Sequence, residues 1–448
     1  MLLKLPLEVV ELIVLKLSYD DIINIGCCCK VLHDIAINES LWEKCAKRDF
    51  NVNLKCTKKS HCIKLEENVD RNYSSRAFYR KVLLPYGKAL QRTFRLTNYD
   101  YYGGLAKLLY HNYMLHLIEL DPPAYPYTQN GLQDRVICQI YLSPQSNKTL
   151  VNYLEYKPKA TELNDDNPRP RYSFEVFDGL QNVRSEKTEV KISLTSTPSP
   201  LPEVMDLNND WYHMDGDETK EKELSKRLGI PRDMARLRSR HQSLYILEGS
   251  KQYRSIEEEH SFHASYPIQP GFFKATYGSH GVEILQLYYA EPSNEIIALK
   301  ITGDPNVPCG EIGFKGYLNN PIDPEMSLDE EKVDYFDNLK RTFDRAMSQD
   351  KQCHLADGNP SPQPFHLPKG YLLNQDIQLD EFKEYKWRFA SKVHIAMAGF
   401  HDPRYIDAHM IIFSQDTFAV INIDIKSLKI CHRVNEKLKS AVNYEDLY

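Results

Sequence analysis

Several things are scarce or missing in this chain. It has no C-x-x-C pair and no apolar run long enough to cross a membrane, which takes about 18 residues. H-E-x-x-H, P-loop and Rossmann fingerprints are absent, so the common signatures of zinc proteases, nucleotide hydrolases and dinucleotide enzymes do not apply. A net charge of only -6 argues against a global field for nucleic acid or a membrane surface. Five of the ten cysteines (27, 28, 29, 45 and 431) sit in apolar segments, where they act as small hydrophobes. Cys56, His61 and Cys62 fall together in a polar, lysine-rich stretch, but too few ligands are present for a zinc site, and a loop is expected there. Lys4, Glu8 and Glu11 interrupt the apolar start, so no signal peptide is expected. The expectation is a reduced, soluble, intracellular protein, cytoplasmic and/or nuclear, without cofactor or metal.

Tyrosine is abundant at 29 residues against 17 phenylalanines, which suits strand-rich cores and peptide-binding surfaces alike. The first fifty residues carry the sharpest pattern. After Leu5-Pro6-Leu7-Glu8, apolar residues recur at Val9, Leu12, Ile13 and Leu17, the spacing of one buried helix face, with Pro6 at a tolerated first turn. Ser18 and Asp21 suit a second helix start ahead of Ile22, Ile25, Cys28 and Cys29, and a third short segment carries Leu41, Trp42 and Cys45. Three short helices in so few residues bury little surface alone, so their apolar faces call for a partner.

Residues 49–98 read as a linker whose latter part, 74–96, is a helix with Phe78, Val82 and Leu83 on one face. From Tyr99 the rhythm becomes that of strands: Tyr110 to Leu120, Arg135 to Leu142 and Tyr172 to Phe177, then Gly271 to Tyr277, Val282 to Tyr289, Glu295 to Thr302 and four more after Lys392. Gly, Pro and Asn turns punctuate them. A charged segment near 217–247 is broken by Gly229-Ile230-Pro231, and 327–348 reads as an amphipathic helix. Polar insertions are expected at 158–218 and 319–370. The fold class expected is α+β: a three-helix unit at 1–48, a helical linker at 49–98, and an antiparallel β-barrel-like domain at 99–448.

The L-P-x-E start, the Asp21-Ile22 pair, the Cys29/Val31 seam and the closing Leu41-Trp42 resemble the F-box over residues 2 to 48. Further blocks resemble the F-box only protein 31 family. They are Tyr102-Gly-Gly-Leu105, Phe273-Lys-Ala-Thr-Tyr-Gly-Ser-His-Gly-Val-Glu-Ile284, Lys300-Ile-Thr-Gly-Asp-Pro-Asn-Val-Pro308, Phe365-His-Leu-Pro-Lys-Gly370, and Ala398-Gly-Phe-His401 through Val434. The resemblance implies a non-catalytic substrate receptor of a Skp–cullin–F-box ubiquitin ligase. Its F-box would take a Skp-family adaptor, with a cullin scaffold beyond it. Its β domain would capture C-terminal tails of substrates, cyclin-like or ending in an amide. Animal members carry a Cys/His zinc cluster that this chain lacks, since no cysteine lies between Cys138 and Cys309.

By this resemblance Leu5, Pro6, Leu12, Ile13, Ile22, Leu41 and Trp42 serve the adaptor contact. Tyr277, His280, Thr302, Asp304, Asn306 and Arg404 are the candidates for substrate binding. Asp304, Thr302 and Asn306 are equally at home as residues of a Gly-Asp-Pro-Asn turn, where Asp and Asn bond their own backbone. A carboxylate at a barrel mouth could instead accept the N–H groups of a terminal amide and repel a free terminal carboxylate. Ser279-His280 lacks the G-x-S-x-G spacing of a nucleophile elbow and reads as a hairpin. Two other classes stand beside the receptor reading: an F-box scaffold working outside a cullin ligase, and a small-molecule-binding or hydrolytic barrel.

Overall fold

A computed structural model describes residues 4–54, 74–90, 92–96, 101–123, 131–143, 146–153, 172–181, 188–196, 218–228, 230–238, 250–256, 266–277, 280–290, 294–322, 335–348, 361–365 and 382–434. The N-terminal unit has four helices, α1 (Leu7–Val14), α2 (Tyr19–Gly26), α3 (Lys30–Ile37) and α4 (Glu39–Phe50), where the sequence predicts three. Cys29 is fully extended between α2 and α3. Asn38 then ends α3 and caps α4 by accepting from the Ser40 backbone N–H at 3.0 Å. Trp42 on α4 is fully buried. Its indole N–H donates to the Ala36 carbonyl at 2.9 Å, and its ring packs 5.4 Å from Tyr19 and 5.2 Å from Tyr79.

The predicted buried stripe of α1 is reversed. Val10 and Val14 face the core, whereas Val9, Leu12 and Ile13 are exposed at 38%, 62% and 39%. The sequence Leu-Glu-Val-Val-Glu-Leu-Ile-Val is apolar on two sides, so periodicity alone fixed no direction.

A helical run follows as Ser75–Phe78, a π turn at Tyr79–Leu83 and Leu84–Tyr86. Pro85 has no N–H to offer the ladder, which fits the widened turn just ahead of it. The run is tied to α4 by Ser74, whose hydroxyl donates to Glu39 at 2.7 Å, and by Tyr79, whose hydroxyl donates to Asp49 at 2.5 Å. The helix predicted to reach residue 96 ends earlier, and Thr93–Leu96 is a strand.

The next region is an antiparallel eight-stranded sheet of β1 (Thr93–Leu96), β2 (Leu105–His111), β3 (Met114–Asp121), β4 (Gln133–Leu142), β5 (Thr149–Tyr153), β6 (Tyr172–Gln181), β7 (Thr188–Ser196) and β8 (Ser250–Ile256). Its order is β5-β4-β3-β2-β1-β8-β7-β6. The edges β5 and β6 come within 8 Å between Cα atoms, so the sheet curls nearly shut. The apolar run Tyr110 to Leu120, predicted as one strand, is a hairpin that turns at Asn112 and Tyr113. Both have positive φ, 46° and 58°, a turn without the glycine that usually announces it. The polar stretch 158–218 supplies β6 and β7 rather than loop alone.

The second sheet is a closed antiparallel barrel of β9 (Gly271–Thr276), β10 (Val282–Ala290), β11 (Glu295–Lys300), β12 (Ile312–Pro321), β15 (Trp387–Met397), β16 (His401–Ile412), β17 (Thr417–Asn422) and β18 (Ser427–Arg433). Short strands β13 (Gln363–Pro364) and β14 (Glu384–Tyr385) pair separately. One cluster from all eight barrel strands fills the interior, including Phe273, Leu285, Ala298, Phe314, Phe389, Met410, Phe418 and Cys431. Outside it lies the helix Tyr335–Ser348, which buries Leu339, Phe343 and Ala346 against Ala390 and Ile411. The stretch 319–370, expected as a polar insertion, therefore holds the end of β12 and this helix.

The cores are continuous. One cluster runs from Val14 and Trp42 through Phe78 and Leu83 to Ala106, Leu117 and Ile140, so the helical unit and the first sheet share an interior. Another joins Leu105, Ile118, Leu120 and Val136 of the first sheet to Ile284 and Ile301 of the barrel.

Candidate functional site

Along four neighbouring barrel strands, charge replaces the apolar interior at one end. Glu283 is in phase with Leu285 and Leu287, Lys300 with Ala298 and Ile296, Tyr277 with Phe273 and Ala275, and Lys429 with Cys431. Lys300 is 2% exposed and Glu283 is 0% exposed. The Lys300 ammonium donates to Glu283 Oε2 at 2.6 Å and to Asp304 Oδ2 at 2.5 Å. The Tyr277 ring lies between two ammonium groups: Lys300 Nζ stands 4.4 Å from its centroid and Lys429 Nζ 3.4 Å.

The turn after β11 folds across this end. Asp304 Oδ1 accepts the backbone N–H groups of Asn306 at 2.7 Å and Val307 at 2.9 Å. Thr302 Oγ1 accepts the Ile284 N–H at 2.8 Å. The loop Tyr101–Gly104 before β2 docks onto it: Gly303 N–H donates to the Tyr102 carbonyl at 2.6 Å, and Cys309 N–H to that of Tyr101 at 3.0 Å. Gly303 is required there, because a Cβ would collide with the Tyr101 carbonyl oxygen and stand 2.6 Å from Cys309 N. Gly399 N–H donates to the Pro305 carbonyl at 2.9 Å. A helix at 232–238 packs Met234, Ala235 and Leu237 with Tyr101 and Tyr102. Motifs far apart in sequence thus meet at one end of the barrel.

The charges are not evenly balanced. Burial raises Asp304, but the Lys300 ammonium, aided by His280, holds its carboxyl well below the usual range. Burial pushes Glu283 well up, Lys300 opposes this only in part, and the Asp304 charge adds to it. Burial lowers Lys300, yet the two carboxylates together keep it above its ordinary value. His280 is pulled down chiefly by burial. Burial first, then the charge of Lys300, brings Lys429 down to about 8. Lys300 therefore pairs with Asp304 first, Glu283 holds its proton more tightly than a free carboxyl, and Lys429 has no acid bonded to its ammonium among the described residues.

The structure gathers five of the six sequence-nominated substrate residues here: Tyr277, His280, Thr302, Asp304 and Asn306. Asp304 does not present a free carboxylate, since both oxygens are used by Lys300 and its own turn. A ligand N–H reaching it would have to share oxygens already engaged. Thr302 Oγ1 accepts from the Ile284 backbone, and Asn306 is held through its N–H. His280 is half-buried, its Nδ1 3.7 Å from Asp304 Oδ1. Arg404 lies apart, exposed and paired with Asp402. Ser279, like Cys56, His61 and Cys62, falls outside the described residues.

Three members were not nominated: Glu283, Lys300 and Lys429. A signal existed for the first two, because each is a charged residue in phase with the inward apolar positions of its strand. Two polar atoms of the cluster have no hydrogen-bond partner among the described residues, Glu283 Oε1 and His280 Nδ1.

The other candidate surface is α1. Leu5, Leu7, Val9, Leu12 and Ile13 form an apolar ridge with exposures of 38–62%, and Pro6 is exposed beside them. Of the seven residues expected at the adaptor, Leu5, Pro6, Leu12 and Ile13 are thus presented. Ile22, Leu41 and Trp42 are corrected to core, at 0%, 3% and 0% exposure, and can serve only by holding the ridge in place.

Residues 2–44 match the F-box domain family, and residues 253–437 match the family described as Cyclin D1 binding domain. The barrel strands and the charged cluster fall inside the second match. F-box only protein 31-B of Xenopus laevis is 22% identical over 98% of this chain and 84% of its own length. F-box only protein 31 of Xenopus tropicalis is 23% identical over 98% and 86%, and that of Rattus norvegicus 22% over 98% and 86%. Among the described residues no helix is long and apolar enough to cross a membrane. From the α1 ridge to the barrel, this chain carries an F-box domain match and is similar along 98% of its length to the F-box only protein 31 proteins.

Proposed function

We propose that the chain is the non-catalytic, substrate-choosing subunit of a Skp–cullin–F-box ubiquitin ligase, and that it grips the C-terminal tails of its substrates at the polar end of the barrel. The observation that carries the tail reading is the buried polar cluster with unpartnered atoms inside an otherwise apolar barrel. Buried polar atoms without partners are costly, and a ligand's end-group is small enough to supply them. The match of residues 253–437 to the family described as Cyclin D1 binding domain supports protein substrates, and the resemblance extends the class to cyclin-like or amidated tails. The α1 ridge supports a Skp-family adaptor, which in turn brings the cullin. Ubiquitin transfer would belong to other subunits, with this chain supplying proximity.

The test is retention of peptides by the immobilised complex of the full chain with a Skp-family adaptor. Octapeptides of random sequence are offered as a linear pool and as the same pool cyclised head to tail. A tail receptor retains linear members and not cyclic ones. Equal retention of both pools defeats the tail reading, and adaptor binding without cullin recruitment would favour a scaffold outside the ligase.

A further inference from the structure

Two lysines share the Tyr277 ring, and they are held very differently. Lys300 Nζ, 4.4 Å from the ring centroid, is bonded to Glu283 at 2.6 Å and to Asp304 at 2.5 Å. Lys429 Nζ, 3.4 Å from the same centroid, has no hydrogen bond or ion pair among the described residues. Lys429 lies in phase with Cys431 of the apolar interior, yet it is only half-buried, so small solutes reach it. A lysine amine becomes a nucleophile when it is desolvated and set beside another cation, because both effects favour its neutral form. Burial and the charge of Lys300 do this here, and bring Lys429 down to about 8 from an ordinary 10.5. Lys300 cannot serve in the same way, since its two carboxyl partners keep the proton on it.

We propose that Lys429 is a covalent attachment site, at which its Nζ forms an imine with a small aldehyde. The neutral amine attacks the carbonyl carbon, and the C=O π pair moves to oxygen. A proton passes from nitrogen to that oxygen, giving a carbinolamine. The hydroxyl is then protonated and leaves as water while the nitrogen lone pair closes the C=N bond. Nitrogen sheds its last proton, replacing the one used. One amine and one aldehyde give one imine and one water, with no oxidant or reductant. When protonated, the imine is again a cation and keeps its place on the Tyr277 face. The inference does not rest on the tail reading, because the aldehyde need not belong to a peptide.

The experiment uses the full chain in complex with a Skp-family adaptor. Butanal is supplied briefly with sodium cyanoborohydride, which reduces an imine to a stable secondary amine, and the label on each lysine is read by peptide mass spectrometry. At about pH 7.5, Lys429 should be labelled at least about tenfold faster than the exposed Lys383 and Lys386, since far more of its amine is neutral. That ratio should fall as the pH rises towards about 10, where exposed lysines lose their protons too. Both lysines of each ratio meet the same aldehyde and reductant, so only the state of the amines moves it. The groups facing Lys429 are Tyr277, Glu283, Lys300, Asp304 and Cys431. Urea removes all of them at once and should abolish the preference. A preference that survives in urea belongs to the local sequence and overturns the proposal. Labelling of Lys429 no faster than of Lys386 overturns it, as does a ratio that does not change with pH. In Lys429→Arg the fast phase of total uptake should vanish, and a fast phase that persists there assigns the reaction elsewhere. If that variant does not fold, the wild-type ratios decide alone.

Discussion

The α1 ridge and the barrel end break the usual distribution of residues in opposite ways. On α1, large apolar side chains stand in water: Leu12 is 62% exposed and Leu7 52%. In the barrel, an ammonium and two carboxyl groups lie in a core of phenylalanine and leucine. The ridge is open before any partner arrives, and its binding would gain from the area covered. The barrel end is nearly complete by itself, and among the described residues what it lacks is partners for the Lys429 ammonium, Glu283 Oε1 and His280 Nδ1. One surface suits a permanent, area-driven contact. The other suits a selective contact in which a small end-group decides.

The most severe way to test the contrast is Lys300→Met. It leaves Glu283 and Asp304 buried together without their cation, and unfolding in urea should show a loss of about 3–5 kcal/mol. A milder loss would mean that water reaches the cluster and that the end is open like the ridge. Next is Leu12→Glu. Fold stability should stay within about 0.5 kcal/mol, since the side chain is exposed, while adaptor affinity falls by about 2 kcal/mol or more in a titration. Loss of stability instead would place Leu12 in a core.

The pH dependence is smaller. Lys429 titrates near 8 when folded against 10.5 for a free lysine, so the unfolded chain binds the extra proton between these values. Stability should therefore rise with pH across that window, by on the order of 1–3 kcal/mol. Tyr277, Glu283, His280, Lys300, Asp304 and Cys431 surround the group, so the measurement is the difference between wild type and Lys429→Met, which should show the rise only in wild type. The least effect is expected of Arg404→Ala. Its exposed pair with Asp402 is worth under about 0.5 kcal/mol, and peptide retention should not change. A large loss of retention would return Arg404 to the site.

How much the sequence reveals follows the same contrast. Cap residues and spacing made the F-box readable, yet which face of α1 met the core was not, because Val10 and Val14 compete with Val9, Leu12 and Ile13 for it. The barrel was readable as strands, since alternation and turns are local. That Tyr101–Gly104 would dock on Gly303 was not, because nothing local joins residues two hundred apart. The Gly-Asp-Pro-Asn turn was readable as a turn, and its backbone bonds are those expected of Asp. The role of Asp304 was harder to read, because it depends on Lys300 arriving from inside the barrel. Lys429 gave little sign, as a lysine in a strand is more often solvated.

The glycine at 303 carries a last consequence. The loop bearing Asp304 is stitched to Tyr101 and Tyr102, the first sheet shares its core with the helical unit, and that unit displays the α1 ridge. If adaptor and tail bind as proposed, the elements that hold them are joined through continuous cores and the backbone bonds that Gly303 allows. The reach needed to bring different lysines to the transferring enzyme would have to come from the substrate itself, in the length of slack chain between its gripped tail and its folded body.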